Sequence, residues 1–201
     1  MIEASVKRRL GAFNLSADFA DGGFVCLTGK NGSGKTCFLK AIAGQLPIDQ
    51  GYVKVGGRDI GRLPVEKRGV VLVNPGSSIP HLAVDAHLRW GAGLRRIDVD
   101  ERRLSKVKDE LGIDFGGRVR VLSLGMRERV SLATALLASP RAILVDEAFS
   151  NIHDRSIFIA AYRRLASTAG IDVIFATQEE TDASLADHLY VITDGKLERR
   201  L

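Results

Sequence analysis

Cysteine is scarce, two residues in 201, and Cys26 and Cys37 cannot supply the disulfide framework that staples small secreted domains. Both fall in segments that read as core strand and core helix, so they are expected to be small buried apolar residues in a reducing compartment. No run of about 18 uninterrupted apolar residues occurs, so no membrane-crossing helix is expected. Met1 to Leu10 lacks a charged region followed by an apolar one, which argues against an export signal. Internal repeats and low-complexity tracts are also missing, against a solenoid or a disordered tail. Basic residues come in scattered pairs such as Arg8-Arg9 and Arg163-Arg164 with acidic neighbours. Without a dense basic block, a dedicated nucleic-acid reader is disfavoured and no nucleic-acid partner is expected.

What is present suits one substantial core and a small lobe: 45% hydrophobic and 26% charged residues. The net charge of +5 fits an acidic ligand, nucleic acid or an anionic membrane face, and alone it does not choose among them.

Along the chain, strands are expected around 2–7 and 13–19, followed by the buried run Phe24 to Thr28. Gly29-Lys30-Asn31-Gly32-Ser33-Gly34-Lys35-Thr36 comes next, and Cys37, Phe38, Leu39, Ile42, Ala43 and Leu46 then repeat at helical spacing. Tyr52 to Val55 reads as a strand entering the Gly56-Gly57 turn, and Val70 to Val73 is a continuous apolar run of the parallel-sheet type. Residues 75–82 are loop-like and 83–140 mainly helical, including a charged helix over 98–111 and an apolar one over 126–138. The sheet resumes at Ala142 to Val145, continues after a helix over about 154–169 with Asp172 to Ala176, and ends in the hairpin Tyr190 to Glu198. This alternation predicts an α/β fold with a largely parallel core sheet. It divides the chain into a core (1–73 and 141–201) and an inserted helical lobe (74–140) within a single domain 1–201, leaving no room for a C-terminal regulatory domain.

Strand, glycine loop and helix in this order form a phosphate cradle. Gly29, Gly32 and Gly34 let successive backbone N–H groups face phosphates, Lys35 brings a mobile cation, Thr36 offers a hydroxyl to Mg²⁺, and the helix presents its positive end. Asp146 and Glu147 close an apolar strand at the edge where open α/β sheets bind ligands. There Asp146 can hold Mg²⁺, and Glu147 can orient or deprotonate an attacking water.

These motifs resemble those of the ATP-binding-cassette ATPases over nearly the whole chain. Gly29 to Thr36 is similar to their Walker A and Ile143 to Glu147 to their Walker B. Leu122-Ser123-Leu124-Gly125-Met126 lies 20 residues before Asp146, where the family carries its L-S-G-G-Q signature. Ser150 to Asp154 stands at the D-loop, Gln178 at the switch histidine and Asn74 at the Q-loop glutamine. Lys7 to Phe13 is similar to the molybdate/tungstate importer subunits. The resemblance implies a P-loop NTPase cassette with an antiparallel β subdomain. Its expected cofactors are ATP and Mg²⁺. Two cassettes, identical or different, would close head to tail, and Ser123 and Gly125 would reach the partner's γ-phosphate. The helical lobe would dock a membrane permease from the cytoplasmic, inner face of the membrane.

By this resemblance the nucleotide set is Gly29, Lys30, Asn31, Gly32, Ser33, Gly34, Lys35, Thr36 and Cys37, with Ser123 and Gly125 in trans. Thr36, Asp146 and Asn74 form the metal set, and Glu147 and Gln178 the catalytic pair. For adenine, Phe13 can stack, Leu10 can take that place instead, or Phe13 can belong to the core. Leu124, Met126, Asn74, His153 and Gln178 depart from the family pattern. The expected function is an ATPase subunit driving import, with an oxyanion as its solute and turnover that is slow or partner-dependent. The alternative is a degenerate cassette acting as a soluble ATP-dependent switch. His81 and His153 read as solvated loop residues.

Overall fold

A computed structural model describes residues 1–200; of Glu180 the backbone alone is described, and the Leu201 end of the expected domain lies outside the described residues. The elements are β1 (Ile2–Leu10), β2 (Phe13–Asp21), β3 (Phe24–Thr28), α1 (Lys35–Ala43), β4 (Gln50–Val55), β5 (Arg58–Asp59) and β6 (Val70–Val73). Then come α2 (Val84–Leu94), α3 (Glu101–Glu110), α4 (Leu124–Leu137), β7 (Ala142–Asp146), α5 (Arg155–Thr168), β8 (Asp172–Thr177), α6 (Glu180–Ala183), β9 (His188–Thr193) and β10 (Lys196–Arg200).

Among the described residues the ten strands form one sheet in the order β5-β4-β1-β2-β10-β9-β3-β8-β7-β6. Strands β9, β3, β8, β7 and β6 are mutually parallel, whereas β1, β2, β4 and β5 pair antiparallel. The α/β class and the parallel core agree with the sequence reading. Strand β5 is an addition: Gly56 and Gly57 both take positive φ and fold the chain back into a short hairpin where only a turn was expected.

The apolar runs are explained by burial on both faces of the sheet. In β7, Ala142 and Leu144 pack toward α1 and the antiparallel strands, while Ile143 and Val145 face α2, α4 and α5. In β3 and β8, Val25, Leu27, Ile174 and Ala176 take the first face, and Phe24, Cys26, Val173 and Phe175 the second. A Leu or Phe wholly removed from water contributes about 1.5–3 kcal/mol. Between β6 and β7 the chain is helical. Helix α4 is buried all round from Val130 to Leu137 because it runs through the middle of the helical layer. No helix among the described residues is long and apolar enough to cross a membrane.

Helix ends follow local chemistry. Asp100 caps α3 by accepting from the Arg103 N–H at 2.7 Å. Helix α1 stops at Gly44 in the left-handed region, earlier than the apolar spacing to Leu46 suggested. The buried Arg68 guanidinium takes up the loose carbonyls there, donating to Ile42 at 3.1 Å. Cys26 is fully buried as expected, and burial pushes its thiol up to about 12. Cys37 corrects the expectation: it is half-buried on the first turn of α1 and lines a pocket beside the glycine loop.

The β9–β10 turn, Asp194-Gly195, has positive φ at both residues and braces the glycine loop, the Gly195 N–H donating to the Ser33 carbonyl at 2.9 Å. A Cβ on Gly195 would collide with the Asn14 carbonyl. Gly195→Ala is therefore expected to lower stability in urea by about 1–3 kcal/mol. Gly116 has open space around it and no positive φ, so Gly116→Ala should stay within about 0.5 kcal/mol.

Candidate nucleotide site

The site is built where β3, β7 and β8 end together. The register pairs Thr28 with Thr177 and Asp146 with Ala176. The glycine loop, Glu147 and Gln178 therefore leave the sheet side by side.

Lys35 is almost fully buried and folds back over its own loop, Nζ donating to the Gly29 carbonyl at 2.7 Å and the Lys30 carbonyl at 3.3 Å. A Cβ on Gly29 would strike the Ile192 carbonyl, and one on Gly34 would lie 2.8 Å from the Phe13 ring. Both glycines have positive φ as well, so the loop tolerates a side chain at neither. The ring of Phe13 lies over the loop, half-buried, and Leu10 and Phe13 line one pocket of about 360 Å³ with Asn31, Thr36, Cys37 and Glu147. Both apolar candidates for the base thus stand on the same wall. The Ser33 hydroxyl is buried with no partner.

Across from the loop, the Thr36 hydroxyl donates to Asp146 Oδ1 at 3.1 Å. Asp146 is 8% exposed. Burial raises its carboxyl above the ordinary value, the Thr36 hydrogen bond opposes this, and the neighbouring Glu147 charge adds to it. Glu147 adopts a left-handed backbone, φ 59°, unusual for a residue with a side chain. Its Oε1 accepts from Gln178 Nε2 at 2.9 Å and lies 3.9 Å from Lys35 Nζ. Glu147, Gln178, Lys35, Thr36 and Asp146 thus form one linked set.

Other expected residues stand apart. Asn74 follows the last residue of β6, whose Val73 pairs with Val145, so it reaches the same edge one strand away. Its Oδ1 accepts from the Ser77 hydroxyl at 2.9 Å. Ser123 caps α4, accepting from the Met126 N–H at 3.3 Å, and neither Ser123 nor Gly125 lines the glycine-loop pocket. Gly125 has a reason internal to the chain: a Cβ there would meet the Asn151 carbonyl. His81 is exposed, as is His153, whose side chain is 93% accessible.

Sequence reading missed the groups that hold these loops. Glu128, buried on the first turns of α4, accepts from Asn151 Nδ2 at 3.0 Å, and Arg129 donates to the His153 carbonyl at 2.7 Å. A carboxylate inside an apolar helical run was the available signal. Asp182 is also buried, accepting from the Thr177 hydroxyl at 2.8 Å and pairing with Arg155 at 3.0 Å. These contacts steady the backbone just before Gln178.

A strand, a glycine loop closed by a buried lysine, a helix, and a hydroxyl–carboxylate pair at the sheet edge define a P-loop nucleotide-binding ATPase fold. The ABC transporter family model matches residues 12–150. The chain is 33% identical to the molybdate/tungstate import ATP-binding protein of Archaeoglobus fulgidus, over 98% of this chain and 85% of that protein. It is 33% identical to the thiamine import ATP-binding protein of Jannaschia sp., over 96% of this chain and 89% of that one. Against the molybdate/tungstate import ATP-binding protein of Pyrococcus horikoshii it is 34% identical and spans only 55% of the relative's length. A solved ATP-binding subunit of an ABC transporter superposes with a TM-score of 0.82 at 21% identity, covering all of this chain and 89% of that one. The chain belongs to the ABC transporter family, as one of its ATPase cassettes.

The raised Asp146 carboxyl carries a sign. The folded state holds this proton more tightly than the unfolded chain, so stability is lost as pH rises through the raised value, and above it the ionised group costs stability. Asp146→Asn, which keeps an oxygen for Thr36, should raise the urea midpoint of the nucleotide-free protein at pH 8. A lower midpoint would contradict the burial argument.

Proposed function

We propose that the chain is the ATP-binding subunit of an importer, binding Mg-ATP and hydrolysing it slowly to drive a separate membrane permease. The observation that carries this reading is the Thr36–Asp146 hydrogen bond set beside the Glu147–Gln178 pair. Backbone N–H groups of residues 29–37 and Lys35 would take the phosphates, with Phe13 and Leu10 against the base. Thr36 and Asp146 are hard oxygen donors of the kind Mg²⁺ prefers, and a divalent cation would offset the buried Asp146 charge. The described residues hold no group of three or more His, Cys, Asp or Glu fit for a metal. That suits an ion completed by phosphate oxygens and waters, with Asn74 contributing through a water.

Glu147 would orient and deprotonate the attacking water, and Gln178 would hold its other carboxylate oxygen. As a neutral amide, Gln178 donates a hydrogen bond without adding positive charge. Leu124, 42% exposed at the start of α4, puts a branched side chain where the family signature carries glycine. Loss of one transition-state donor costs about 10²–10³ in rate, which supports slow or partner-dependent turnover.

In this reading Ser123 and Gly125 act across a dimer of two cassettes. Residues 1–73 and 141–201 form the nucleotide core and 74–140 the lobe that meets the permease, at the inner face of the membrane. An oxyanion as solute follows the molybdate/tungstate import proteins among the relatives.

Steady-state phosphate release, with sedimentation in and out of Mg-ATP, tests the reading. Slow basal turnover is expected, and Glu147→Gln should lower it by a further ~10² while keeping ATP binding and trapping the dimer. Turnover indifferent to Glu147→Gln would refute the catalytic assignment. ATP-dependent binding to a soluble protein, with no polytopic membrane protein co-purifying, would refute the transport role.

A further inference from the structure

The second charged feature lies at the opposite edge of the sheet, where β6 and β7 begin. A pocket of about 350 Å³ opens there between the β5 hairpin, the turn before β6 and the end of α2. Its wall carries five cationic side chains, Arg58, Lys67, Arg68, Arg95 and Arg141, and one carboxylate, Glu66. The sequence shows these residues as scattered over positions 58 to 141, so no basic block is visible.

Among the described residues nine of the 29 Lys and Arg pair with a carboxylate, so what marks this pocket is the gathering of unpaired cations around one cavity. Among the described residues, Arg89, Lys108, Arg163 and Arg164 each find a carboxylate. Arg58, Lys67, Arg95 and Arg141 find none, Glu66 included, and donate no side-chain hydrogen bond. Arg68, 9% exposed, forms the floor, and its guanidinium is held rigid by the carbonyls of Leu63 at 2.9 Å, Gly61 at 2.8 Å and Ile42 at 3.1 Å. Neutral carbonyls fix this cation, the nearby Asp59 offsets part of its charge, and its field adds to that of the four on the rim. The backbone also favours a close approach: the guanidinium of Arg141 lies against the Gly56-Gly57 turn that leads into Arg58.

We propose that this pocket binds a compact polyphosphate anion. The charge balance selects the class. Five cations against Glu66 and the nearby Asp59 leave about three to four positive charges, more than inorganic phosphate or sulfate brings. Arginine forks suit phosphate oxygens in pairs, and three separate arginines around one cavity suit several phosphoryl groups in a row. The site is distinct from the nucleotide pocket, which lies at the other ends of β6 and β7. It uses none of the residues assigned to nucleotide, although Arg95 lies within the lobe assigned to the permease. Arg68 joins the two regions physically, because one of the carbonyls it grips, that of Ile42, belongs to the last turn of the helix that begins in the glycine loop.

The test is calorimetric titration of sodium tripolyphosphate into the full chain carrying Lys35→Ala, which removes the phosphate-loop cation. Binding is expected to weaken about tenfold or more in the triple variant Arg58→Gln, Arg95→Gln, Arg141→Gln and to change less than about twofold in Lys7→Gln, Arg102→Gln, Arg120→Gln, which loses the same charge elsewhere. The corresponding three Arg→Lys changes keep the charge and should retain part of the affinity, which separates a lost site from a lost fold. Absence of tripolyphosphate binding, or equal losses in the two Gln variants, overturns the proposal. So does retention by vesicles of phosphatidylglycerol that the pocket variant abolishes while the tripolyphosphate titration is silent, an outcome assigning the patch to a lipid surface.

Discussion

Three parallel strands end level with one another, and the geometry of the nucleotide edge hangs from that register. With Thr28 beside Thr177 and Ala176 beside Asp146, the next residues along each strand are Gly29, Gln178 and Glu147. Side chains alternate between faces along a strand, so a slip of one residue would turn Asp146 away from Thr36 and exchange the two buried faces of β7. The Thr36–Asp146 hydrogen bond can form only because the β3–α1 turn and the end of β7 arrive at the same height. Two-sided burial secures that height: every residue from Ala142 to Asp146 is enclosed, so an alternative register would leave apolar groups in water.

The two cores explain which parts of this architecture were legible before any coordinates. Strands β3, β6, β7 and β8 are continuous apolar runs because helices or strands cover both their faces, and such runs stand out in a sequence. The glycine loop was legible for a different reason: its requirements are local, a sharp path and close packing within eight residues. Contacts between distant segments left weaker traces. Gly125 was expected to serve a phosphate across a dimer, yet within the chain it makes room for the Asn151 carbonyl, 26 residues on. Glu128 drew no reading from the sequence, and only the fold reveals its bond to Asn151. Cys37 illustrates the converse. Helical spacing placed it among core positions, but the first turn of α1 leans over the loop and leaves it half-covered.

Costs are concentrated at this same edge. Asp146 is a carboxyl held away from water, Glu147 occupies a left-handed conformation, and Lys35 is buried with its charge met mainly by backbone carbonyls. A left-handed residue with a side chain costs of order 1–3 kcal/mol, and burial of each charge adds to the cost until a compensating group arrives. Elsewhere the sheet's interior pairs are apolar, and helix ends are met by glycine, by Asp100, by Ser123 or by the Arg68 guanidinium. Folding free energy from two large cores is thus set against strain and buried charge that meet at this edge.

That distribution bears on how the edge can respond to a ligand. A triphosphate with a divalent cation would supply negative charge to Lys35 and positive charge to Asp146 together, relieving two penalties in one binding event. The surrounding contacts are short and mutually dependent. Gln178 is tied to Glu147, Thr177 to Asp182, Asp182 to Arg155 at the start of α5, and Asn151 to Glu128 at the start of α4. A change in charge at Asp146 or Glu147 therefore meets, within a few bonds, the first turns of both helices that flank the 147–154 loop. The sheet supplies a fixed reference on one side of that loop, and polar links that can be remade lie on the other. A nucleotide bound at this edge would therefore act on the helix ends through links that can be remade, while the strands stay fixed by their two-sided burial.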